Sequence, residues 1–177
     1  MKLRVRKSRQ HPGWTFCSYT AAVIYGLSVS NVNLRHIHIA VPPTQTTTPG
    51  SEIIRHRYIR RTSASQLDIA VTDIDQTITD CLVDASFVEG LIIADSVLHE
   101  QLMSKKHLIA TVDELGRGRR GVAIARWVAQ QADGLSESGG ESKARALMIE
   151  RGWQVPELQV ELPDPVEPGG GYRVEYL

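Results

Sequence analysis

Two glutamates and two arginine-rich stretches are the residues of this chain whose types and spacing could do chemistry. Glu141 stands in "SESGGESKARALMIERGW", residues 136–153, and Glu175 in the closing "YRVEYL". A carboxylate on a helix and another on a later strand suit metal-dependent phosphodiester cleavage. They fix Mg²⁺, which polarises the phosphate and makes a bound water nucleophilic at neutral pH. Two carboxylates are fewer than such a site usually takes, and Glu141 has a second reading. Ser138 and Glu141 are spaced as a capping box, in which the serine oxygen accepts the N–H three residues on and the glutamate reaches back to the serine N–H. Ala144, Leu147 and Met148 then recur at helical spacing, and Gly152 is placed to end the helix. Spacing alone leaves Glu141 as either a cap or a metal ligand.

The arginines point to anions. "RHRYIRR" sets Arg55, Arg57, Arg60 and Arg61 around Tyr58. Arginine beside an aromatic can grip phosphate and stack on a base, and a solvent-facing strand with alternate arginines explains the pattern nearly as well. "GRGRR" offers Arg117, Arg119 and Arg120 to phosphates, or is a solvated connection between helices. It lacks the spacing and the Lys-Ser/Thr ending of a phosphate-cradling loop. His36 and His38 lie two apart on a strand face, without a third ligand at metal-binding spacing. No nucleophile elbow, Cys–His pairing or zinc signature is present.

Charge separates along the chain. The net charge is zero, yet residues 1–61 carry +9, residues 62–130 −4 and residues 131–177 −5. The basic part includes the tail residues Lys2, Arg4, Arg6, Lys7 and Arg9. It either meets an anionic partner or faces the acidic regions within one fold. The 42% hydrophobic and 23% charged content is that of a globular chain rather than a disordered one. The most apolar stretch, "FVEGLIIADSVL", is broken by Glu89 and Asp95, which excludes a membrane span. The charged N-terminus has no apolar run behind it and is not a secretory signal. Cys17 and Cys81 are too few for a disulfide scaffold and read as buried thiols of a cytoplasmic protein.

The elements that must position these residues follow from periodicity. "CSYTAAVIYGL" reads as a short helix with Ser18 as its cap. Residues 35–41, "EIIRHRYI" and "LDIAVT" read as strands, with "RRTSASQ" a polar linker between the last two. "DIDQTITDCLVDAS" and "FVEGLIIADSVLHEQLM" read as amphipathic helices. "DELGRGRRGVAIARWVAQQA" gives a short helical turn, a Gly-Arg connection and a third helix. The Glu141 helix comes next, then strands "ELQVEL" and "YRVEYL". The fold class is α/β (α+β): a small mixed sheet with several helices, followed by a helix–strand–strand lobe.

Taken together, "CSYTAAVIYGLSV", "VTDIDQTITDCL", "LIIADSVL" and "ADGLSESGGESKARALMIERGWQVPELQVEL", with "YRVEYL", resemble a family of actinobacterial AbiEi-type antitoxin-like proteins. Its members carry a C-terminal very-short-patch-repair-like, that is restriction-endonuclease-like, domain. The resemblance covers nearly the whole chain from about Phe16. It is most specific where the family reads Ser-x-Gly-Glu-Ser, a helix, then Pro-x-x-Gln. It implies that Glu141 matches a helix glutamate assisting a metal site. Glu175 stands where the family has a metal-binding aspartate in an Arg-Val-Asp-Phe strand; here the stretch is Arg173-Val174-Glu175-Tyr176. The family's following Glu-x-Asp-Gly strand is not reached, and a basic tail stands where its winged helix would be. The resemblance therefore implies a chain abbreviated at both ends: a basic tail (1–15), an AbiEi-like α/β domain (16–133) and a partial restriction-endonuclease-like lobe (134–177).

The expected function is that of a nucleic-acid-associated or antitoxin-like protein, a catalytically incomplete relative of a metal-dependent endonuclease. It is not expected to be an enzyme as sequenced. No cofactor is expected, with Mg²⁺ entering only if the nuclease lobe is completed. One alternative is a Mg²⁺-dependent DNA endonuclease completed by another chain or by sequence beyond residue 177; another is a structural protein–protein interaction module. Expected partners are DNA or another nucleic acid, an acidic protein or toxin, and a second copy paired through the open sheet edge. No membrane partner is expected.

Overall fold

The helices begin where short polar side chains satisfy their free N–H groups. In the computed structural model, which describes residues 13–44, 52–58, 63–155, 157–163 and 171–176, Asp73 caps α2 (Ile74–Asp84) by accepting the Gln76 N–H at 2.8 Å. Ser86 caps α3 (Phe87–His99) in a reciprocal pair with Glu89, and Ser104 caps α4 (Lys105–Leu115). Before them, α1 (Ser18–Ile24) begins behind Cys17 with no side-chain cap. Ser18, expected as its cap, instead lies inside the helix with its hydroxyl buried. The next helix, α5 (Val122–Gln131), starts from Gly121 at φ 86°. A Cβ there would stand 2.0 Å from the Val83 carbonyl oxygen, so only glycine lets α5 start against the end of α2. Ser138 caps α6 (Gly139–Glu150).

The fold is α+β. Five strands, β1 (Thr15–Phe16), β2 (Ile37–Val41), β3 (Ile53–Arg57), β4 (Ser63–Gln66) and β5 (Ile69–Thr72), form a mixed sheet in the order β3-β2-β1-β5-β4. The two-residue β1 is the centre, antiparallel to β2 and parallel to β5. β3 runs parallel to β2, with Ile39 opposite Arg55 and Val41 opposite Arg57. A separate antiparallel hairpin joins β6 (Leu158–Pro163) to β7 (Gly171–Tyr176), with Val160 opposite Val174.

The main core lies among the helices rather than on the sheet. Ile78 and Leu82 of α2, Leu91 of α3, Leu108 and Val112 of α4, and Val128 of α5 are fully buried in one cluster. A buried leucine of this kind contributes about 1.5–3 kcal/mol. Ala146 of α6 belongs to the same cluster. Arg145 reaches from α6 to Asp95 on α3 at 2.7 Å and gives its other terminal nitrogen to the Gln131 carbonyl. α6 is thus seated in the main core.

Several elements differ from the sequence expectation. Of the expected linker "RRTSASQ", residues 60–62 lie outside the described residues and Ser63–Gln66 form strand β4, paired with β5 across a two-residue turn. Its polar side chains hide an edge strand that is held by backbone bonds. The helical turn expected at "DELG" is the end of the eleven-residue α4, whose narrow stripe rests on Leu108 and Val112. α3 stops at His99, and Gln101 at φ 55° turns the chain. Among the described residues no helix is long and apolar enough to cross a membrane.

Candidate nucleic-acid interface

The two arginine stretches, sixty residues apart in sequence, meet at one carboxylate. Asp80 lies on α2 and is 2% exposed. The Tyr58 hydroxyl, just past β3, donates to its Oδ2. Arg119, in the connection between α4 and α5, donates to its Oδ1 at 2.6 Å, and the Gln76 amide donates to the same oxygen at 2.9 Å. Asp80 therefore anchors "RHRYIRR" and "GRGRR" to the same helix. Arg57, Arg117 and Arg120 are exposed beside these anchor points and make no ion pair with any described residue. Arg55 is half-buried on the β3 face opposite His56. Arg60, Arg61 and the basic tail lie outside the described residues.

Behind Tyr58 the site turns inward and loses reactivity. His38 Nδ1 and His56 Nε2 are 2.8 Å apart, so the two rings share one proton. Burial holds His38 at about 4, with the neighbouring His56 and His36 adding to the effect. His56 is lowered too, chiefly by burial, against the opposing pull of Asp80 and Asp84. Both rings are therefore neutral at neutral pH, and Tyr19 packs edge-on against His38. Burial pushes the Cys17 thiol up to about 12 even though it is hydrogen-bonded to Tyr58, so it stays protonated and is no nucleophile. Burial raises Cys81 well above the ordinary value as well. His36 is exposed ahead of β2, and the partner of His38 is His56.

Glu141 is 8% exposed, and the structure uses both of its oxygens. Oε1 accepts the Ser138 hydroxyl at 2.7 Å, and Oε2 accepts the Glu137 N–H at 3.0 Å. Ser138 Oγ in turn accepts the Glu141 N–H. The glutamate thus closes the helix start one residue earlier than a capping box would, on Glu137 rather than on the Ser138 N–H. The Glu175 side chain lies outside the described residues. Among the described residues no three His, Cys, Asp or Glu side chains come together as a metal site.

Tyr58 and Arg119 stand out in the sequence, whereas Asp80, Gln76 and His56 do not. A signal was available: Asp73, Asp80 and Asp84 fall on one side of α2, away from the stripe of Ile78 and Leu82, and an acid stripe opposite arginines invites pairing.

No protein-family model matches the chain, and no solved structure gives a significant match. Among curated proteins the chain is similar to an uncharacterized protein of Mycobacterium tuberculosis strain CDC 1551 / Oshkosh. It is equally similar to an uncharacterized protein of the H37Rv strain of the same species. Each is 28% identical over 162 residues, covering 90% of this chain and 57% of the relative. The chain thus spans a little over half the length of the curated relatives it matches.

Proposed function

We propose that the chain binds nucleic acid through a basic seam where the end of β3 and the α4–α5 connection meet. It is read as an antitoxin-like, nucleic-acid-associated protein in which Glu141 has a structural role. The observation that carries this reading is the convergence of Tyr58 and Arg119 on Asp80. A buried carboxylate holds Tyr58 and Arg119 on one helix and leaves Arg57, Arg117 and Arg120 exposed beside them. Side chains of this kind read phosphate charge and geometry rather than base edges. The resemblance to antitoxin-like proteins with an endonuclease-like domain supports the same class of ligand.

The test is fluorescence anisotropy of a labelled short DNA against the purified chain, repeated between about 50 and about 200 mM salt. Each phosphate contact adds about 0.9 to the slope of log affinity against log salt. A steep fall with little dependence on sequence is expected. A flat salt response would overturn the reading.

A further inference from the structure

The helix that follows Arg119 and Arg120 carries a partly exposed indole. Phe87, the first residue of α3, is 4% exposed, and the Trp127 indole of α5 lies flat on it. The ring centroids are 3.8 Å apart and the planes differ by 20°. One face of the indole is therefore covered, while the residue as a whole remains 39% exposed. An indole half-covered in this way offers its other face and edge to solvent. Ile124, one turn earlier on α5, is exposed beside it.

Its place in the fold connects it to the arginines. Arg119 is held on Asp80, Gly121 backs onto Val83 one turn further along α2, and α5 then runs to Trp127. At 1.5 Å per residue, Trp127 lies about 8 Å beyond the first residue of α5. The charges nearby change sign at this point. Asp84 is exposed at the end of α2, and Glu89 is turned back into the Ser86 cap. Asp113 on α4 is paired with Arg126. A backbone of phosphates suits the arginine end and not the Trp127 end, whereas a neutral base suits the Trp127 end.

We propose that Trp127 is a stacking platform for an unpaired nucleobase, so that the chain prefers nucleic acid whose bases are free to leave the duplex stack. The phosphates lie on Arg117 and Arg120 and one base lies on the indole, backed by Phe87. This rests on the nucleic-acid reading above and narrows it to single-stranded or locally unpaired strands. In a duplex the bases already stack on one another, and Trp127 has nothing to take up.

Three probes of equal length separate the possibilities with the wild-type chain: a single-stranded oligonucleotide, the same backbone with abasic sites throughout, and a duplex. The single strand is expected to bind about tenfold or more tighter than the abasic strand, the size of one stacked base. Trp127→Ala should erase that difference and leave duplex binding unchanged. Trp127→Phe, which keeps a ring on Phe87, should restore part of it, and a thermal melt of each variant checks folding. Equal, salt-sensitive binding of single and abasic strands would overturn the platform and leave the basic seam standing. Salt-insensitive binding of all three, or none, would overturn both.

Discussion

Arg119 Nη1 stands 2.6 Å from Asp80 Oδ1, and this pair joins the second arginine cluster to the helix that the first one reaches through Tyr58. Asp80 is almost fully buried, while the Arg119 side chain keeps a third of its surface in water. The two ends of the bridge therefore differ in what their removal leaves behind. Asp80→Ala strands the Tyr58 hydroxyl and the Gln76 amide without an acceptor, and is expected to lower stability by about 2 kcal/mol or more. Arg120→Ala, on the surface, should change stability by less than about 0.5 kcal/mol and reduce the salt slope of binding by about 1. Urea denaturation and salt-dependent anisotropy of both variants check the separation. An Asp80→Ala chain as stable as wild type would show that the carboxylate does not hold the seam.

Stability should respond to acid through two buried groups of opposite sign. His38 and His56 both have folded values below the ordinary 6.5, with His38 at about 4. Between those values the unfolded chain binds more protons than the folded one, so this contribution is complete above 6.5 and is lost as the pH falls toward 4. Asp95 behaves in the opposite way. Burial raises it above 3.8 despite Arg145, the folded state binds more protons in that window, and its contribution grows as the pH falls toward 3.8. Denaturation midpoints on lowering the pH from neutral should therefore fall less in the double variant His38→Gln/His56→Gln than in wild type. Relative to Asp95→Asn, wild type should gain on acidification. Parallel pH profiles in all three proteins would contradict both assignments.

The turn between β4 and β5 places Leu67 at φ 52° and Asp68 at φ 61°. Positive φ at both central residues is the mark of a type I′ turn, which Asn-Gly fits without strain. Leu67 is also 74% exposed, so its side chain gives little back in packing. Replacing Leu67-Asp68 by Asn-Gly should raise stability by about 1 kcal/mol, read as a higher urea midpoint with an unchanged slope. No gain would mean that the hairpin is not limited by its turn.

Apolar periodicity made α2, α3, α5 and α6 legible, whereas α4, whose stripe is only Leu108 and Val112, reads as no more than a turn at its end. It failed for the sheet for a physical reason. β1 is too short to show alternation, and β4 is an edge strand of serine, alanine and glutamine held by backbone pairing. The arginines were readable as candidates because their types are informative on their own. That Tyr58 and Arg119 meet was not readable, since the link runs through Asp80, an acid in a helix that carries several. The stack of Phe87 on Trp127 was equally hidden, being a contact between helices forty residues apart.

Glu141 is the residue whose role the sequence left most open, and the geometry separates its two readings by experiment. With Oε1 on the Ser138 hydroxyl and Oε2 on the Glu137 N–H, the carboxylate satisfies the start of α6. Glu141→Ala should then cost about 1–3 kcal/mol, the range for a charged hydrogen bond removed from a buried place. The loss should be the same with and without Mg²⁺, because a cation that binds only the folded state would stabilise it in proportion to its occupancy. Glu141→Gln keeps an acceptor for one of the two donors and should fall between. Thermal melts of the three proteins, with Mg²⁺ and with a chelator, decide the matter. A Mg²⁺-dependent rise in the wild-type melting temperature that Glu141→Ala abolishes would return the residue to a metal site. An equal, Mg²⁺-independent loss leaves it closing its helix, which is what both of its oxygens do in the folded chain.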